Sequence, residues 1–136
     1  MINFLIVTHG EFGAYLVEAA ESIVGRQEEG VQTVVLSARV STIDLRERIR
    51  RALERLQNQD GLIVFTDMFG GTPSNLSFPL MQDRPKTEIV SGVNLYMLVS
   101  AFTHRADCSL PELVSKLIAD GQKSICDIRR RVLARV

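Results

Sequence analysis

The sequence predicts an α/β fold: a single doubly wound, mainly parallel sheet with helices on both faces. Three observations lead there. Short apolar runs rich in Val, Ile, Leu and Phe recur along the chain at Ile2 to Val7, Gln32 to Leu36, Leu62 to Thr66 and Glu88 to Ser91. Amphipathic stretches with helical spacing separate them, and Gly, Ser, Thr and Asn mark the junctions. Strands without a polar side suit a parallel sheet covered on both faces. Right-handed crossovers then make a single doubly wound sheet the economical arrangement, and for His9 and Asp67 to meet the order is 2-1-3-4, with the switch point between strands one and three. The 136 residues, 46% of them apolar, are read as one domain over 1–136, large enough for a three-layer core.

The first strand runs into Thr8-His9-Gly10 and a helical pattern follows at once. That places His9 at the carboxyl end of a strand, where open α/β sheets keep their sites. The unpaired N–H groups and dipole of the next helix favour an anion there. A lone histidine is more often a solvated loop residue, and only a second loop changes that balance. The helix itself shows a stripe of Phe12, Tyr15, Leu16, Ala19, Ala20 and Ile23, expected to face the core. The next helix carries Leu45, Ile49, Ala52, Leu53 and Leu56, and is opened by Ser41 with Asp44 three residues on. Its charges pair at i,i+4, as in Asp44 with Arg48 and Glu47 with Arg51, which describes a solvated face.

The third strand leads into Thr66-Asp67-Met68-Phe69-Gly70-Gly71-Thr72-Pro73-Ser74-Asn75. Asp67 thus also stands at a strand end, while Gly70 and Gly71 let backbone approach a ligand. Thr72-Pro73 reads as an N-cap followed by proline at the first helical position. With strands one and three adjacent, a carboxylate and a histidine meet between two helix N-termini. A fourth helix is expected near Asn94, read as a cap that also stands at the same sheet end. A fifth is expected at Ser109, whose Ser-Leu-Pro-Glu has the form of a capping box, with a stop at Gly121. Lys123 to Ile128 is an optional fifth edge strand, antiparallel or exchanged with a second copy of the chain.

Composition limits the function classes. The net charge is zero, which gives no reason to propose nucleic acid. Thirteen of the sixteen basic residues are arginine, but only Arg129-Arg130-Arg131 forms a run, and a solvated terminus accounts for it. No basic segment precedes the first apolar run, which is too short for a signal peptide, and no stretch approaches the length of a membrane span. The expectation is a cytoplasmic protein. Cys108 and Cys126 lack metal-ligand or redox spacing and read as reduced thiols.

The blocks Ile6 to Gly10, Asp67 to Asn75 and Ser91-Gly92-Val93-Asn94-Leu95-Tyr96-Met97-Leu98 together resemble the mannose-type enzyme IIA family of the bacterial phosphoenolpyruvate-dependent sugar phosphotransferase system. The likeness covers essentially the whole chain. It implies that His9 accepts a phosphoryl group from the phosphohistidine of a small phosphocarrier protein and passes it to a IIB partner. It also implies that Asp67 supports the imidazole and that the Thr72 hydroxyl lies beside the phosphoryl group. Phe69 stands where some members have tryptophan, and no IIB domain follows within the sequence, so the acceptor would be a separate protein.

The chemistry can also be argued from the residues. Phosphorylation at one ring nitrogen needs neutral His9 with that lone pair free, and an acceptor at the other nitrogen fixes the tautomer. If Asp67 takes the Nδ1 proton, Nε2 becomes the nucleophile. The amides near Gly10 and Gly71 and the Thr72 hydroxyl are the expected phosphoryl donors, with Thr66, Phe69, Gly70 and Asn94 lining the site. A phosphohistidine donor requires no Mg²⁺, so neither metal nor cofactor is expected. Two other readings use the same histidine. Thr-His-Gly-Glu superficially resembles the opening of histidine phosphatases, although Thr8 replaces their arginine. The third reading is a regulatory protein whose phosphorylation state is itself the output.

Overall fold

The computed structural model describes residues 1–134. The elements follow the order β1 (Asn3–His9), α1 (Phe12–Val24), β2 (Val31–Leu36), α2 (Thr42–Leu56), β3 (Leu62–Thr66), α3 (Thr72–Met81), β4 (Thr87–Ser91), α4 (Leu95–His104), α5 (Leu110–Lys123) and α6 (Ile128–Leu133). All strand pairs are parallel and the sheet order is β2-β1-β3-β4, the order expected for His9 and Asp67 to meet.

Alternation along the strands divides the core into two layers. Phe4 and Ile6 of β1, with Ile63 and Phe65 of β3, face a cluster completed by Ala20, Leu98, Phe102, Leu113 and Leu117 from α1, α4 and α5. Leu5 and Val7, with Leu62 and Val64, face Ile49, Leu53 and Met81 from α2 and α3. Every residue of β3 is buried, which accounts for its uninterrupted apolar sequence.

The helix starts follow the side chains that cap them. Ser41 Oγ accepts from the Asp44 amide at 3.2 Å. Ser109 Oγ accepts from the Glu112 amide at 3.4 Å and donates to that residue's carboxylate at 2.8 Å; the cap forms, but the Glu112 carboxylate takes the Ser109 hydroxyl rather than its backbone N–H, the bond that a capping box would add. On α2 the Glu47–Arg51 pair forms at 3.1 Å. Glu47 bonds more closely to Arg50, and the two guanidinium groups hold its carboxyl at about 2.

Four details differ from the sequence expectation. Strand β1 extends through His9, because Thr8 and His9 pair with Val35 and Leu36 of β2. Helix α1 is rotated from its expected phase: Gly13 and Ala20 are buried, whereas Phe12, Tyr15 and Ile23 are 47%, 64% and 60% exposed. The helix is apolar on several sides, so periodicity does not fix its phase. Close approach does: a Cβ on Gly13 would lie 2.8 Å from both Ile6 Cγ2 and Thr8 Oγ1. Helix α5 does not stop at Gly121, which is buried within it, close enough that a Cβ would lie 2.9 Å from Met97 Cε. That glycine serves packing between helices.

The fourth difference is that no strand forms between Lys123 and Ile128. The Ser124 and Ile125 amides turn back to the Gly121 and Gln122 carbonyls. Asp127 then accepts from the Arg130 amide and starts α6. Local turn and cap bonds thus take the backbone groups that strand pairing would need. No helix among the described residues is long and apolar enough to cross a membrane.

Candidate functional site

Register brings the two loops together. Val7 of β1 pairs with Thr66 of β3, so His9 and Asp67 leave adjacent strands at nearly the same height. A single oxygen, Asp67 Oδ2, lies 2.7 Å from His9 Nδ1 and accepts from the His9 backbone N–H at 2.9 Å. The other oxygen, Oδ1, accepts from the Met68 amide at 3.0 Å. The Asp67 side chain is only 14% exposed, whereas that of His9 is 49% exposed. With the carboxylate at Nδ1, the neutral ring carries its proton there, and Nε2 is the lone-pair nitrogen.

Partial burial would raise the Asp67 carboxyl pKa. The His9 backbone N–H, the His9 ring and its charge together outweigh that effect and leave the carboxyl below its usual range. The pair is therefore built to keep Asp67 ionised.

Each loop is closed by its own side chains. After His9, Gly10 takes φ +57°, a left-handed turn that glycine accepts without a Cβ clash. Thr8 Oγ1 accepts from the Gly13 amide at 2.8 Å and so caps the first turn of α1. In the second loop Gly70 has φ +79°. Thr66 and Ser74 hydroxyls bond at 2.7 Å, Ser74 Oγ also donates to the Met68 carbonyl at 2.9 Å, and Asn75 Nδ2 donates to the Gly70 carbonyl at 3.3 Å. These bonds tie the Asp67 loop to the start of α3.

Hydrogen bonding also gives several of the expected site residues a structural role, for Asn94 the cap role that the sequence predicts. Thr66 is fully buried and fastens the loop base. Asn94 is an N-cap: its Oδ1 accepts from the Met97 amide at 3.0 Å, and its Nδ2 donates to the Gly92 carbonyl at 3.2 Å. The Gly10 amide is engaged with the Leu36 carbonyl at 2.8 Å, and the Gly71 amide makes a longer bond of 3.3 Å to the Met68 carbonyl. Gly71, rather than Thr72, is the N-cap of α3. Thr72 is its first residue, and its amide and that of Ser74 have no acceptor among the described residues.

Phe69 is 90% exposed. It lines a cavity of about 680 Å³ with Phe78, Pro79 and Ile89, which neither His9 nor Asp67 enters. Ser74 and Asn75 fasten the loop, a role that the sequence motif does not announce. Their signal is their position, two and three residues after a loop-closing Thr-Pro start, from which short polar side chains can bond back to the loop. Among the described residues no group of three or more His, Cys, Asp or Glu side chains is arranged to hold a metal ion.

The family described as the PTS system fructose IIA component, EIIA-man, matches residues 3–118. The chain belongs to this family. Among relatives, the fructose-specific EIIA component of Bacillus subtilis strain 168 is 28% identical over 91% of this chain and 84% of its own length. The mannose-specific EIIAB component of Escherichia coli K12 is 31% identical over 91% of this chain, which spans only 38% of that protein. The crystal structure of an EIIA component from Streptococcus agalactiae is 33% identical, superposes with a TM-score of 0.82 and covers 96% of this chain and 99% of that one. The IIA protein associated with the fucose utilization operon of Streptococcus pneumoniae, at 23% identity and a TM-score of 0.84, shares the fold.

Membership in the EIIA family makes the chain a component of a sugar phosphotransferase system. The relatives' names carry several different sugars and single out none for this protein. In this EIIA chain His9 and Asp67 form a contact pair, and the Gly71 backbone stands against the imidazole, since a Cβ there would lie 3.3 Å from His9 Cε1.

Proposed function

We propose that the protein is a phosphoryl relay: His9 Nε2 accepts a phosphoryl group from the phosphohistidine of a phosphocarrier protein and surrenders it to a IIB partner. The observation that carries this reading is the 2.7 Å contact between His9 Nδ1 and Asp67 Oδ2. It leaves the second ring nitrogen as the nucleophile on a half-exposed imidazole.

In the forward step the Nε2 lone pair forms the new N–P bond as the donor's N–P bond breaks. The electron pair of the broken bond returns to the donor imidazole. Asp67 stabilises the positive charge that develops on the His9 ring, and its proton stays on Nδ1. Transfer in line between two held imidazoles relies on positioning and charge stabilisation. Thr72, with its hydroxyl and first-turn amide, is the donor we assign to the phosphoryl oxygens. The Gly71 amide joins it by giving up its long bond to Met68. Gly10, whose amide is committed to Leu36, serves through its turn. Exposed Phe69 and Met68 beside the loop, 90% and 57% exposed, form the rim that a docking protein would meet.

The test is incubation with phosphoenolpyruvate, the first enzyme of the system and the phosphocarrier. One acid-labile, base-stable phosphate per chain is expected, absent from His9→Ala. The isolated phosphoprotein should persist for minutes and discharge when a IIB partner is added. Label on His104 would overturn the assignment. Steady hydrolysis of small phosphomonoesters that depends on His9 would instead establish a phosphatase.

A further inference from the structure

Gly70 and Gly71 stand side by side but meet opposite requirements. At Gly70 the backbone has φ +79°, and a Cβ would meet nothing within 4 Å, so glycine is needed there for conformation. At Gly71 φ is −80° and ψ is 168°, an extended backbone that any residue adopts. What Gly71 lacks is space. A Cβ would lie 2.9 Å from Met68 Cγ, 3.3 Å from the Met68 carbonyl oxygen and 3.3 Å from His9 Cε1.

The last contact has chemical meaning. Cε1 is the ring carbon between Nδ1, which Asp67 holds at 2.7 Å, and Nε2, the nitrogen left open. We propose that Gly71 is a positioning residue for His9: its bare Cα lets the ring sit where Nδ1 reaches Asp67 and Nε2 faces outward. A methyl group at this position would push the ring by a few tenths of an ångström. The bond to Asp67 would then lengthen, and the tautomer it fixes would be lost. The effect on phosphotransfer rests on the relay reading; the effect on the ring does not.

Gly71→Ala keeps the amide and an allowed backbone, so it isolates the Cβ. Nitrogen NMR of the imidazole at neutral pH should move from the Nδ1–H tautomer toward a mixture. Under saturating phosphocarrier the transfer rate should fall roughly tenfold, since displacement by about 1 Å costs on the order of 10². The half-saturating donor concentration should hardly change. In Gly71→Ala/Met68→Ala, which removes the competing clash, both changes should persist.

Wild-type ring signals and rate in Gly71→Ala would overturn the proposal. So would full recovery in the double variant, which would place the effect in Met68, or a change in half-saturation alone. If wild-type protein accepts no phosphoryl group, the relay reading fails, yet the imidazole spectrum still decides the role of Gly71. If Gly71→Ala fails to fold, rescue by an added His9→Ala would support the clash with the ring. Failure of that rescue would refute it.

Discussion

A single carboxylate oxygen of Asp67 serves two nitrogens of His9, the backbone amide at 2.9 Å and ring Nδ1 at 2.7 Å. The end of β1 and the orientation of its catalytic candidate are therefore fixed by one side chain from the loop that follows the neighbouring strand.

Asp67→Asn should disturb both duties at once. The atom that takes the place of Oδ2 faces both His9 nitrogens: an amide nitrogen there would oppose the backbone N–H and favour the ring tautomer with Nε2 protonated and unavailable, and an amide oxygen there would turn the amide nitrogen onto the Met68 N–H. Phosphotransfer should fall by about 10², the scale of a positioned acid–base partner. Stability should fall by about 1 kcal/mol, in keeping with weakened hydrogen bonds to a shielded group. Transfer rate and chemical unfolding measured on the same preparation check both. An undiminished rate would remove Asp67 from the mechanism.

The same contact predicts a pH dependence of stability. Asp67 has its folded pKa lowered, because the bonds and charge of His9 outweigh the opposing effect of burial. Such a group contributes fully above its unfolded value of about 3.9. The contribution disappears as the pH falls through the lower folded value. The stability gap between wild type and Asp67→Asn should therefore be present above about pH 4 and close as the pH falls below it. Unfolding free energies across that range provide the measurement, and a constant gap would show that ionisation of Asp67 is not linked to folding.

Arg105 supplies a prediction remote from the site. Its side chain is 3% exposed and donates to the carbonyls of Ile2 at 2.9 Å and Glu29 at 3.1 Å and to Gln27 Oε1 at 3.1 Å. Its guanidinium lies 5.0 Å from the centroid of the Phe4 ring. No carboxylate pairs with it within salt-bridge distance among the described residues, so its role is to satisfy backbone where β1 and β2 begin. Arg105→Ala should cost about 3 kcal/mol or more, the range for breaking a buried polar network. Arg105→Lys should restore only part of it, because an ammonium lacks the planar fork. Denaturation midpoints test this, together with an unchanged transfer rate per folded molecule.

The sequence alone carried the sheet and the chemical pair. Short apolar runs alternating with amphipathic helices suit a parallel sheet covered on both faces, and the order β2-β1-β3-β4 is the one in which the loops carrying His9 and Asp67 stand side by side. Caps such as Ser41, Asn94 and Ser109 were legible for the same reason: each acts on an amide three residues away.

Only the tertiary structure decided what depends on the separation of elements distant in sequence. The phase of α1 was undetermined by a helix apolar on several sides and is set where Gly13 meets Ile6 and Thr8. Gly121 looked like a helix stop, yet it accommodates Met97 across a helix contact. Arg105, unremarkable in sequence, meets its acceptors 76 to 103 residues earlier in the chain. Even within the motif, Gly70 and Gly71 read alike. One is required by its own backbone angle and the other by the ring of His9, because a steric limit belongs to the pair of atoms that approach rather than to either residue.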